Sequence, residues 1–201
     1  MKKKIFLVIA AIMCSSALFA FDLDFKGGVM HPTSPNKFGL DTAVAANFIL
    51  NQNFLFGVET GFGWVNWSGI DQANDNPAVI RPDLYPSHAA NLYYLPILAT
   101  FTAQANMAEV IPYLSFGLGY AWDWYREKDN NDSFNSYTWQ ILGGIKWKFK
   151  TRVLLITEMG FRSAQTESNH KIMDMTGWIG RVGVCVPFNF SSSANGTPEN
   201  K

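Results

Sequence analysis

Phe54-Leu55-Phe56-Gly57-Val58-Glu59-Thr60-Gly61-Phe62-Gly63-Trp64 alternates over its whole length. Phe54, Phe56, Val58, Thr60, Phe62 and Trp64 share one face of an extended chain, with Gly57, Glu59, Gly61 and Gly63 on the other. Side chains of a strand point alternately to opposite faces, so this period of two predicts a strand with one apolar side. The same pattern recurs to either side. Upstream, Phe21, Leu23, Phe25 and Val29 oppose Asp22, Asp24, Lys26 and Gly28, and Phe38 to Leu50 forms a second run ending in the turn Asn51-Gln52-Asn53. Downstream, runs fall at about 91–103, 114–124, 137–149, 153–163 and 178–190. Pro96 weakens the first of these, because proline removes a ladder donor.

No segment after residue 20 approaches the roughly 20 continuous apolar residues of a spanning helix, so a membrane could be crossed only by strands. The start of the chain fits export. Lys2, Lys3 and Lys4 precede the apolar run Ile5 to Met13, and small residues lead to Ala17-Leu18-Phe19-Ala20. That is the form of a signal peptide over 1–20, cleaved after Ala20. Cys14 raises lipid modification, but Met13 stands where that signal requires a small residue. Without the three lysines, the balance of 16 basic and 16 acidic residues becomes 13 against 16. A mildly acidic chain with no basic run excludes nucleic acid as a partner on electrostatic grounds. Cys185 is then the sole cysteine, so no intrachain disulfide forms.

The expected architecture is all-β: an eight-stranded antiparallel up-and-down transmembrane barrel over 21–190, with a disordered polar tail at 191–201. Connections alternate between long (66–87, 126–136, 164–171) and short (51–53, 104–110, 150–152), as long outer loops and short periplasmic turns do. The first outer loop, 31–37, is brief. Aromatic placement tests this register independently, since Trp and Tyr prefer the bilayer interfaces. Trp64, Trp67, Trp122, Trp124, Trp139 and Trp178 fall near the long-loop ends, whereas Phe54, Trp147, Phe149, Phe188 and Phe190 fall near the turns. A soluble lipocalin-like barrel would also alternate, but a soluble β-sandwich would hold such aromatics mid-strand.

On this register the charges facing inward are Asp24, Lys26, Asp41, Glu59, Asp123, Lys146, Lys148, Glu158, Arg162 and Arg181. Side chains can fill a barrel this narrow. One reading is a paired network centred on Glu59, Glu158 and Arg181, because an unpaired ion in a tight interior is expensive. The other is a gated passage, for which Gly57, Gly61, Gly63, Gly117, Gly119, Gly144 and Gly183 leave room. Leu55, Val65, Leu142, Leu154, Ile156 and Ile179 could add an apolar section.

Leu92-Tyr93-Tyr94-Leu95-Pro96-Ile97-Leu98, followed by Ile111-Pro112-Tyr113-Leu114-Ser115-Phe116-Gly117-Leu118-Gly119-Tyr120, resembles matching strands of small outer-membrane barrels related to OmpW, OmpX and OmpA. Phe25-Lys26-Gly27-Gly28-Val29 with Pro32 resembles the opening strand of the OmpW group. The resemblance implies insertion in the bacterial outer membrane among its lipids, with Phe188 and Phe190 as the signal read by the barrel-assembly machinery. About eleven residues follow that signal, where the family ends on it. It also implies a conduit for small hydrophobic molecules through an apolar lumen, although the inward charges describe a more polar one.

His31, His88 and His170 lie in or beside predicted loops at no metal-ligand spacing, and Ser87-His88 and Ser168-Asn169-His170 match no hydrolase motif. The sequence therefore gives no catalytic residue, no metal site and no cofactor. The expected function is a narrow pore or conduit for small molecules; the alternative is a surface-exposed adhesin or antigen with a plugged barrel, whose loops, 66–87 above all, bind host molecules.

Overall fold

The computed structural model describes residues 20–34, 37–67, 90–127, 130–149, 152–168 and 171–188. Its strands are β1 (Phe21–Ser34), β2 (Gly39–Asn51), β3 (Phe54–Trp67), β4 (Ala90–Gln104), β5 (Val110–Glu127), β6 (Asn130–Lys148), β7 (Leu154–Ser163), β8 (Gln165–Ser168) and β9 (Lys171–Phe188). Each pairs antiparallel with its sequence neighbour up to β7, and β9 pairs with both β7 and β1. The sheet is thus closed, and Gly28 of β1 faces Asp41 on one side and Arg181 on the other. Among the described residues, closure pairs β1 to β7 and β9 on both sides around the wall, which spares a bilayer the cost of meeting a free sheet edge there.

β7 and β8 form one line against β9. Arg162 faces Gly177 and Gln165 faces Asp174, so the register holds across the break. At Ala164 the amide N–H donates to the Thr176 hydroxyl oxygen at 3.2 Å, and the carbonyl accepts from Met175 N at 3.1 Å. The architecture is therefore an eight-stranded antiparallel barrel whose seventh strand is interrupted once.

Alternation sorts the side chains as the pattern requires. Phe56, Val58, Phe101, Phe116, Leu118, Ile141, Leu155, Val182 and Val184 stand exposed on the outer wall, while Asp41, Glu59, Leu98, Gln140, Arg162 and Arg181 are buried inside. A soluble protein does not expose so continuous an apolar belt; it has the form of the lipid-facing wall of a transmembrane barrel. Phe21 stacks on Phe188 across the closing seam, with ring centroids 4.9 Å apart.

Pro96 sits in the wall of β4, where the β3–β4 ladder lapses between Thr60↔Ile97 and Gly63↔Tyr94. The Thr60 hydroxyl donates to Pro96 O at 2.9 Å across that gap. At Gly119 the Ile97 carbonyl comes so close that a Cβ would lie 2.0 Å from it.

Several expected boundaries move. The loop expected at 126–136 is the upper part of a hairpin, in which β5 and β6 pair as far as Glu127↔Asn130. The loop expected at 164–171 contains β8 and the start of β9, and β1 extends to Ser34 through the expected 31–37 loop. At these strand ends the sequence no longer sets an apolar face against a polar one, so the period of two that marks the wall fades. The expected signal peptide apart from Ala20, most of the 66–87 loop, the 191–201 tail and Phe190 lie outside the described residues.

Candidate functional site

Six of the strands, β1, β2, β3, β6, β7 and β9, send charged side chains to the middle of the barrel or its turn end. In the middle, Lys26 Nζ lies 2.5 Å from Glu59 Oε2 and 3.2 Å from Glu158 Oε1. Arg181 reaches Glu59 Oε1 through Nη1 at 3.1 Å, and through Nε it meets Glu158 Oε1 at 2.9 Å and Asp41 Oδ1 at 3.4 Å. Arg162 Nη1 completes the set on Asp41 Oδ2 at 2.7 Å. Three cations thus meet three carboxylates in a site shut off from bulk solvent: the Arg181 side chain is 0% exposed and those of Asp41 and Glu158 are 1%. Balanced charge and short contacts are what a dry interior demands of ions.

Neutral groups complete the packing. Gln140 donates through Nε2 to Glu59 at 2.7 Å and accepts from Arg162 Nη2 at 3.0 Å. The Tyr113 hydroxyl donates to Glu158 Oε2 at 2.6 Å. The Arg162 guanidinium lies 5.0 Å from the centre of the Tyr94 ring, a cation–π contact, and the Tyr94 hydroxyl bonds Thr138 at 2.7 Å.

Towards the turns a second cluster forms. Lys146 Nζ meets Asp22 Oδ2 at 3.1 Å and Asp24 Oδ1 at 3.7 Å, with Cys185 Sγ at 3.5 Å. Asn47 donates to Asp24 Oδ2 at 2.9 Å. Between the two clusters lies a cavity of about 10 Å³ lined by Lys26, Glu59, Thr100, Tyr113, Lys146 and Glu158 among others, room for about one water. Towards the loop end Met30, Val65, Leu92, Tyr94, Tyr125 and Met175 close the interior as a dry apolar cluster with Phe134 packed against it.

The structure therefore brings Lys26, Asp41, Glu59, Glu158, Arg162 and Arg181 into one network and places Asp24 and Lys146 in a second. Asp123 is buried but apart from both, taking the Ser136 hydroxyl at 3.0 Å. Lys148 turns to the connection below, bonding Asn106 Oδ1 and the Met107 carbonyl. Its position at the end of β6, next to that turn, lets a long side chain leave the lumen. Of the six residues that could supply an apolar section, Val65 joins the loop-end cluster; Leu55, Leu142, Ile156 and Ile179 are buried elsewhere.

Asp22, Asn47, Tyr94, Tyr113 and Gln140 belong to these clusters as well. Parity was the available signal, since each shares the inward phase of its strand. Trp64, Trp122, Trp139, Trp147 and Trp178 are exposed and Trp124 half-buried, all on the outer wall. Phe188 is on that wall too, at the turn end. His31 stacks edge-on against Phe38 at 4.6 Å; His88 and His170 lie outside the described residues. Among the described residues no group of three His, Cys, Asp or Glu is placed to hold a metal.

No protein-family model matches the sequence, and neither does any curated protein. The fold is shared with solved transmembrane barrels. Neisserial surface protein A superposes with a TM-score of 0.61 at 16% identity, over 85% of this chain and 97% of that one. Ail, the attachment invasion locus protein of Yersinia pestis, solved with the heparin analogue sucrose octasulfate, superposes with a TM-score of 0.50 at 8% identity, over 84% and 97%. At such identities the likeness is one of fold.

Proposed function

We propose that the chain is a bacterial outer-membrane barrel that works as a surface binding protein, through the connections and strand ends at its loop end, and that its lumen is a plug. The observation carrying this reading is the packed interior: an ion network, a cavity for about one water, and an apolar cluster stacked along one axis. A conduit, the function implied by the OmpW-like resemblance, needs a continuous path for its solute. Here the path would have to cross paired ions held by several strands at once. Asp24, Lys26, Asp41, Glu59, Lys146, Glu158, Arg162 and Arg181, the inward charges that could form a gate, then serve as a structural lock.

The loop end has the reach for binding. β5 and β6 have 18 and 19 residues, against the roughly 9–11 that span a bilayer, so their hairpin projects outward. On this reading the signal peptide exports the chain, and Phe188 with Phe190 recruits the assembly machinery. The partner is a host surface molecule.

The test is display on a non-adherent bacterium, with and without replacement of residues 68–89 by a short Gly-Ser linker. Immobilised heparin is the first probe, chosen because Ail was solved with a heparin analogue, and cultured epithelial cells are the second. Binding that the replacement removes supports the reading. Absence of binding to either, together with uptake of a small apolar solute, would return the role to the lumen.

A further inference from the structure

The outer wall formed by β3, β4, β5 and β6 changes chemistry within one step of the ladder. Trp64 faces Tyr93, and Tyr93 faces Trp124. One step further, Asn66 faces Asn91, Asn91 faces Arg126, and Arg126 faces Asn131. All are on the outward phase of their strands, and Asn66, Arg126 and Asn131 are exposed. Phe54 stands on the same face at the turn end. The ten or so residues from there to Trp64 cover about 33 Å of strand, or roughly 25 Å of height at the usual tilt, which is the height of the apolar band of such barrels. The Asn66–Asn91–Arg126–Asn131 row therefore stands at the level of lipid headgroups, immediately above the acyl chains.

The row is built to donate hydrogen bonds. Asn91 Oδ1 accepts from Trp64 Nε1 and from Asn66 Nδ2, each at 2.9 Å. With its oxygen occupied twice, the Asn91 amide presents N–H groups to the outside. Beside it the Arg126 guanidinium adds a fixed positive charge and a planar fork of donors that matches phosphate oxygens in pairs. Neighbouring strands are about 4.8 Å apart, so the four side chains spread over roughly 15 Å, the scale of a disaccharide. The indole and phenol rings just below offer faces and edges to apolar and sugar surfaces.

We propose that this face binds the phosphorylated sugar headgroup of a glycolipid in the surrounding leaflet. The proposal rests on the outer-membrane reading above but not on the binding role of the loop end.

The test uses the exported chain refolded into phosphatidylcholine vesicles doped with diphosphorylated lipid A, or with the same lipid stripped of both phosphates. Barrels are transferred to nanodiscs of the same lipid composition, and retained glycolipid is counted by mass spectrometry. The wild type is expected to retain the phosphorylated form about tenfold over the stripped one, the factor that a charge-assisted contact supplies. The N91A/R126A double variant, whose changes lie on the outer wall, should lose that preference while keeping the gel mobility of a folded barrel. Equal retention of the two lipids by the wild type, or an undiminished preference in the variant, would overturn the proposal. Failure to fold into either vesicle would instead overturn the membrane reading on which it depends.

Discussion

Arg181 is where Asp41, Glu59 and Glu158 converge, so its removal leaves three buried carboxylates facing only Lys26 and Arg162. Breaking such a set from one side is costly, because the remaining ions cannot regain water. R181A is expected to lower stability by about 3–5 kcal/mol, read from the urea midpoint of the barrel refolded in vesicles. K148A removes only exposed bonds to Asn106 and Met107 and should cost less than about 1 kcal/mol. Equal effects of the two would mean that the network is no more than decoration. Glycines separate in the same way. A methyl at Gly119 would meet the Ile97 carbonyl at 2.0 Å, whereas one at Gly27 would meet nothing within 4 Å. G119A should destabilise by about 1–3 kcal/mol or prevent folding, and G27A should change the same midpoint by no more than about 0.5 kcal/mol. The reverse ranking would place the wrong face inward.

At the scale of elements, the turn between β2 and β3 is capped from within by Asn51, whose Oδ1 accepts from Asn53 N at 2.8 Å and Phe54 N at 3.0 Å, and is tied to β4 by Asn53 Nδ2 and Gln104 Nε2, which donate to Gln104 O at 3.1 Å and Gln52 O at 3.2 Å. N51A should therefore cost about 1–2 kcal/mol in the same unfolding assay, and a neutral result would show the turn to be set by strand pairing alone. The strands were legible wherever one face meets lipid, as at Phe54 to Trp64. They were illegible at 126–136, where Trp124, Arg126, Ser133 and Asn135 alternate with Asp123, Tyr125, Asp132 and Phe134 without a contrast in polarity between the faces. That the interior was charged could be read from parity, since Lys26, Glu59 and Arg181 all fall on inward phases. Which charge meets which could not. Glu59 and Arg181 are 122 positions apart, and their meeting depends on the stagger of strands around the closed barrel. For the same reason Lys148, inward by parity, was not recognisable as a residue that turns away.

For the whole molecule, the three stacked layers of the interior predict a barrel that is folded and shut. Turn-end cluster, central network and loop-end apolar cluster each span the lumen between several strands, so no single rotamer change opens a path through all three. On the proposed reading, function lies at the loop end and the outer wall, where the projecting β5–β6 hairpin and the amide row stand. The most direct test is the single-channel conductance of the exported chain in planar bilayers, on protein first shown by cold-versus-boiled gel mobility to be folded. A folded barrel that inserts and gives no discrete steps is the predicted result; reproducible steps from the wild type would contradict a sealed lumen and restore the conduit.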